Sequence, residues 1–233
     1  MIKIDEPLSL KALRTFVETH KDKTAFLEHE VKNLLKEIGL PVPNGMFISK
    51  DLADRLPAAL DIVYPAVAKV SSSRIVSKSE VKGVRAGIKN EYELKTVVAE
   101  LLQIENAEGV LVEEMAPAGL EVIVGGVVDN QFGPVVMFGL GGMFVELLKD
   151  VSFALAPLKR EDALRLIKQI KGYRLLEGFR GRPPVDINAA VDIVVIVSEL
   201  AADGLIEEID LNPVSLYPQG AMVLDAKLSL RRV

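Results

Sequence analysis

EVIVGGVVDNQFGPVVMFGL, residues 121–140, reads as two strands around a tight turn. EVIVGGVVD and GPVVMFGL are rich in Val, Ile and Phe, and DNQFG between them carries turn residues, as in an antiparallel hairpin. Working outward, GVLVEEM (109–115) precedes this hairpin and VSFALAPL (151–158) follows it, so residues 109–157 form a run of strands. The last hairpin of the chain joins IEEIDLNPV (206–214) to AMVLDAKL (221–228) through SLYPQG. Residues i, i+2 and i+4 of a strand share a face. Glu208, Asp210 and Asn212 therefore line one side of an apolar strand, and the hairpin brings Asp225 beside them. Mg²⁺ takes one or two carboxylates and completes its shell with water and phosphate oxygens. The row reads as a Mg–nucleotide site or as the solvated face of an edge strand.

Helical periodicity dominates elsewhere. Leu10, Leu13 and Val17 recur at helical spacing after Pro7. Thr24 is a candidate N-cap for a second helix whose apolar face is Leu27, Val31, Leu34, Leu35 and Ile38, ended by Gly39. MFI (46–48), AVAKV (66–70) and GVRAGI (83–88) read as short strands, and SSSRIVSKSEVK (71–82) as a polar, mobile loop. Asn90 and Glu93 form a capping-box pattern for a helix over 91–103. Residues 160–171 form an amphipathic helix before Gly172, and Asp186 caps a long apolar helix to about residue 202. A helix–strand lobe followed by a strand-rich lobe with late helices gives an α+β fold.

The chain has 233 residues, 49% hydrophobic and 26% charged, which suffices for one large domain or two lobes. The net charge is −5 without a basic block, so nucleic acid is not an expected partner. No apolar run is long enough to span a bilayer, so a membrane is not expected either. There is no cysteine, which excludes disulfides, thiolate catalysis and cysteine-ligated metals. No signal-peptide pattern opens the sequence, and a cytoplasmic protein fits.

Lys69 lies inside an apolar strand, where it either snorkels to the edge or points its ammonium into a site. Gly139, Gly141 and Gly142 in FGLGG allow backbone N–H groups to approach an anion, but they do not form a P-loop. Glu113, Glu114 and Glu121 flank MAPAG, either as ribose or metal ligands or as solvated charges. His20 and His29 are the only histidines and read as surface residues. Arg180 and Arg182 in EGFRGRPP either face phosphates or brace a loop.

Taken in order, FLEHEVKNLLKEIGLPVP (26–43), the stretch 119–158, LLEGFRGRPPVDI (175–187) and EEIDLNPV (207–214) resemble the β subunit of ADP-forming acetyl-CoA synthetase (acyl-CoA synthetase, NDP-forming). This is an ATP-grasp family related to succinyl-CoA synthetase β. The resemblance implies two lobes clamping a nucleotide: an N-terminal helix (1–24), a first lobe (25–105) and a second lobe (106–233) with the Mg–nucleotide site. Lys69 would meet the phosphates, the stretch Glu113–Ala116, with Met115 and Ala116, would hold the adenine by its backbone, and Glu121 would approach the ribose. Asn212 and Asp225 would ligate Mg²⁺, and Asp210 would orient a phosphohistidine at the reacting phosphate. The implied reaction is acyl-CoA + ADP + phosphate ⇌ acid + ATP + CoA, with the CoA site and the primary phosphohistidine on an α subunit of an α₂β₂ assembly.

One loop departs from the family at three positions. Where its loop reads H-K-S-D-x-G-G-V, this chain reads SKSEVKGV (77–84), so Ser77 replaces the relay histidine, Glu80 the aspartate and Lys82 the first glycine. Serine is not a reversible nitrogen–phosphate carrier. The α histidine then delivers directly to ADP, or the relay has been removed, or the chain is a regulatory nucleotide-binding subunit. A carboxylate–amine ligase would need a further substrate domain, for which 233 residues leave little room.

Overall fold

The computed structural model describes residues 6–51, 61–75, 77–142 and 149–231. Val76 of the polar loop and residues 143–148 of the stretch 119–158 lie outside the described residues. The chain forms two compact units. The smaller comprises Leu27–Glu30 and Pro43–Pro117; the larger comprises Met1–Phe26, Val31–Val42 and Ala118–Val233.

The smaller unit is a four-stranded antiparallel sheet of β1 (Gly45–Ser49), β2 (Ala66–Ser71), β3 (Val84–Ile88) and β4 (Gly109–Glu114), ordered β1-β4-β2-β3. Helix α3 (Glu91–Leu101) packs on β2 and β3. Leu94, Val98 and Leu101, spaced three or four apart, meet Ala66, Ala68, Val110 and Val112 in one core. The Asn90 side chain accepts the N–H of Glu93 at 3.0 Å, and the Glu93 carboxylate reaches back to the N–H of Lys89 at 2.8 Å. That is the expected reciprocal cap, shifted by one residue at its return bond.

The larger unit carries the strand run. β5 (Leu120–Asp129), β6 (Gly133–Leu140) and β7 (Val151–Leu155) form a meander, and β8 (Ile206–Leu216) pairs with β5 on one side and with β9 (Ala221–Val223) and β10 (Ala226–Leu230) on the other. Asp129 closes the β5–β6 turn by accepting the N–H groups of Gln131 and Phe132. Helix α6 (Ile187–Ala202) covers β5, β6 and β8. Its sequence is apolar almost all round because α1 (Leu8–Thr19) and α4 (Arg160–Lys168) pack on it as well. Asp186 caps it as the sequence indicates, accepting the N–H of Ala189. The short α5 (Tyr173–Leu176) follows α4.

Three expectations change. Helix α2 (Glu28–Glu37) starts four residues beyond Thr24, with the Glu30 carboxylate accepting the N–H of Leu27; Thr24 instead accepts the N–H of Leu230 through its carbonyl. The division between the units falls at 117/118 rather than 105/106, because β4 completes the small sheet, and the N-terminal helix joins the larger unit rather than standing apart. His29 is half-buried and stacks on Phe47, with ring centroids 3.9 Å apart. Among the described residues no helix is long and apolar enough to cross a membrane.

Candidate functional site

In the larger unit, Ile209, Leu211, Val214 and Leu216 of β8 are buried, as are Val122 and Val124 of β5. Cross-strand partners share a face. The pairs Leu120–Leu216, Val122–Val214 and Val124–Leu211 therefore face the helices, and Glu121–Ser215 and Gly125–Asp210 face the other way. Glu121 and Asp210 thus lie on the sheet face opposite α6, and Asn212 follows at the irregularity between Leu211 and Val214, where the register shifts. The N–H of Asn212 donates to the carbonyl of Asp225 at 3.1 Å, and the N–H of Leu224 donates to the carbonyl of Pro213 at 2.9 Å. These bonds bring Asp225 beside Asn212, as the hairpin reading requires.

Asp210 is partly buried, and desolvation pushes its carboxyl up to about 6. Lys227, its partner on β10, opposes that rise, while Glu208 and Asp225 add to it. Carboxylates held together against their mutual repulsion suit a site that receives positive charge. Among the described residues no group of three or more His, Cys, Asp or Glu could hold a metal.

Lys32 escaped the sequence reading. It is 4% exposed and donates to the carbonyl of Leu224 at 2.7 Å, bracing the backbone next to Asp225. Its helical spacing alone, on a helix read for its apolar face, carried no signal for that contact.

The glycines of FGLGG serve close approach. Gly141 donates to the carbonyl of Glu121 at 2.8 Å, and a Cβ there would lie 2.9 Å from the carbonyl carbon of Glu121. Gly142, at φ +61°, leaves room for the Glu121 carboxylate, which a Cβ would meet at 2.8 Å.

In the smaller unit, Lys69 is buried and does not snorkel. Its ammonium lies 2.8 Å from Glu113 Oε2 and 2.8 Å from Glu28 Oε1. Glu113, at 2% exposure, is an ion-pair partner rather than a solvated charge. Met115, 44% exposed, follows β4 and donates its N–H to the carbonyl of Pro65, and Ala116 is half-buried beside it. Ser77 is half-buried, and its hydroxyl accepts the N–H of Glu80 at 3.4 Å, closing a turn. Lys82, where the resemblance expects glycine, has φ +51°. The structure thus groups Lys69 with Glu113 in one unit; in the other, Glu121 and Asp210 share a sheet face, and a backbone bond joins Asn212 to Asp225.

Residues 18–230 match the family model described as an ATP-grasp domain. The chain is 42% identical over 230 residues to the acetate–CoA ligase [ADP-forming] I subunit beta of Pyrococcus furiosus, covering 94% of this chain and 98% of that protein. It is 45% identical over 202 residues to acetate–CoA ligase [ADP-forming] II of Archaeoglobus fulgidus, of which it covers 30%. Among solved structures, the acetyl-coenzyme A synthetase 1 of Ca. Korarchaeum cryptofilum in complex with coenzyme A and Mg-AMPPCP, with its phosphohistidine segment pointing towards the nucleotide binding site, superposes with a TM-score of 0.77 at 41% identity. That match covers 96% of this chain and 100% of the other.

Proposed function

Because the chain belongs to the ATP-grasp family, among the β subunits of the ADP-forming acyl-CoA ligases, we propose that it passes a phosphoryl group from a phosphohistidine of an α partner to ADP. The reaction is acyl-CoA + ADP + phosphate ⇌ acid + ATP + CoA, and the assembly is α₂β₂. Catalysis of such a transfer is mostly positioning and neutralisation of charge.

Lys69 meets the phosphates, Glu113, Met115 and Ala116 border the adenine, and Glu121 takes the ribose. Asn212 and Asp225 hold Mg²⁺, whose chemistry there is to offset the negative charge of the phosphates. Asp210 accepts a hydrogen bond from the incoming imidazole and fixes its orientation. The observation that supports this reading is the backbone pairing of Asn212 with Asp225 on the hairpin that carries Asp210, whose carboxyl is raised first by burial and further by Glu208 and Asp225.

Ser77 favours a second reading, a nucleotide-binding subunit whose relay has been lost. The hydroxyl occupies a turn and carries no imidazole. One experiment separates the two. The chain is mixed with its α partner, and ATP formation is followed from acetyl-CoA, ADP and phosphate. ATP made with Ser77 in place means direct delivery from the α histidine. No ATP, with Mg-ADP bound and Ser77→His restoring turnover, means a broken relay. Failure to bind Mg-ADP overturns both readings.

A further inference from the structure

Glu28 had no assigned role, and its surroundings give it one. It opens α2, is 5% exposed, and belongs to the smaller unit. Its Oε1 accepts from Lys69 at 2.8 Å and its Oε2 from Lys78 at 2.5 Å. Lys69 in turn lies 2.8 Å from Glu113. The four side chains are 2% to 14% exposed. These ties join residues 41 and 50 positions apart in the chain.

An acidic residue in the first turn of a helix interacts favourably with the helix dipole from water and has no need of burial. A buried ionised carboxylate pays desolvation, and an apolar side chain of similar volume often holds a fold as well or better. Stability alone therefore does not call for Glu28. What a single rigid carboxylate does achieve is to fix two ammonium groups relative to each other. Lys78 is the residue next to position 77. The far end of the same loop is tied to β2, since Val70 N–H donates to the Gly83 carbonyl at 2.7 Å. Gly83 N–H also donates to the Lys78 carbonyl at 2.6 Å. The loop is thus pinned at its ends by the sheet and within its span, at Lys78, by Glu28.

We infer that Glu28 is a positioning residue whose carboxylate sets the separation between Lys69 and the loop bearing position 77, and so the path of the phosphoryl group past Lys69. The inference rests on the function proposed above. Glu28 touches neither nucleotide nor phosphate; it acts through the two lysines.

Two measurements test it, on Glu28→Gln, Glu28→Asp and Lys78→Met. In the chain alone, amide hydrogen exchange over residues 77–83 should quicken by roughly tenfold in Glu28→Gln and in Lys78→Met, with β4 unchanged. Unchanged exchange there overturns the inference whatever the complex does. With the α partner, in the Ser77→His background if the native chain is silent, Glu28→Gln should lower kcat by up to about a hundredfold. KM for Mg-ADP should stay nearly constant, and Glu28→Asp should restore part of kcat. A raised KM with kcat intact assigns Glu28 to the packing of Lys69 and overturns the inference. If Glu28→Gln fails to fold, Lys78→Met carries both measurements. No ATP from either background overturns the proposed function and the catalytic part of this inference together, while the exchange result separately decides whether Glu28 holds the loop.

Discussion

Lys69 and Glu113 are diagonal neighbours on the β2–β4 ladder: Lys69 pairs with Leu111 and Val67 with Glu113, and the ammonium and carboxylate meet at 2.8 Å. Both side chains are nearly out of water. Truncating one member of such a buried pair costs about 3 kcal/mol or more. Lys69→Met should lower the stability of the chain by that order in urea denaturation and weaken Mg-ADP binding. A variant as stable as the parent would show that the pair is not a folded-state tie.

Asp210 gives the chain a pH dependence of unusual sign for a carboxylate. Its folded value, about 6, lies above its ordinary 3.8. The native state therefore binds this proton more tightly than the unfolded chain does. The resulting stabilisation is full below pH ~4 and is lost as pH rises through ~6. Asp210→Asn should thus stabilise the free chain at pH 8 by on the order of 2 kcal/mol, and the gain should vanish near pH 4. Thermal unfolding of both proteins across this range checks it, and an equal gain at every pH would refute the assignment.

Lys82 occupies the left-handed region at φ +51°. A residue with a Cβ pays about 1 kcal/mol there, and glycine does not. Lys82→Gly should therefore raise stability by about 1 kcal/mol, read from the denaturation midpoint. A loss of stability would mean that the restored flexibility of the unfolded chain outweighs the relieved contact.

Asp186 joins two elements. One oxygen accepts from Ala189 at the start of α6 and the other from Gly220 in the β8–β9 turn. The bond from Gly220 and then that from Ala189 hold its carboxyl below the usual range. Asp186→Ala should cost about 1 kcal/mol near neutral pH. That stabilisation exists above the unfolded value and disappears as pH falls through the lowered folded one, so parent and variant should converge in strong acid. A gap that persists there would point to packing rather than charge.

The residues legible in the sequence were those whose signal is local. Alternation along 206–211 placed Asp210 opposite the buried Ile209 and Leu211, though a register shift interrupts it at Asn212, and the Asp186 and Asn90 caps were read from two or three neighbouring positions. What stayed hidden depends on long-range contacts. Glu28 and Lys78 look like ordinary charges of a helix start and a polar loop until the fold brings them to Lys69. Lys32 reads as the polar side of an amphipathic helix until the carbonyl of Leu224 arrives. Thr24 matched the chemistry of a cap, but pairing with the last strand claimed its backbone first.

The interleaving of the two units sets an order on synthesis. Every segment of the smaller unit precedes residue 118, so the ribosome can release it to fold as soon as β4 has emerged. The larger unit has no such freedom. The apolar side of α1 must wait for α6, and the carbonyl of Thr24 for the N–H of Leu230, almost the whole length of the chain away. During translation the first helix is therefore an orphan until α6 emerges, and the segment just after it waits longer still, for the last strand.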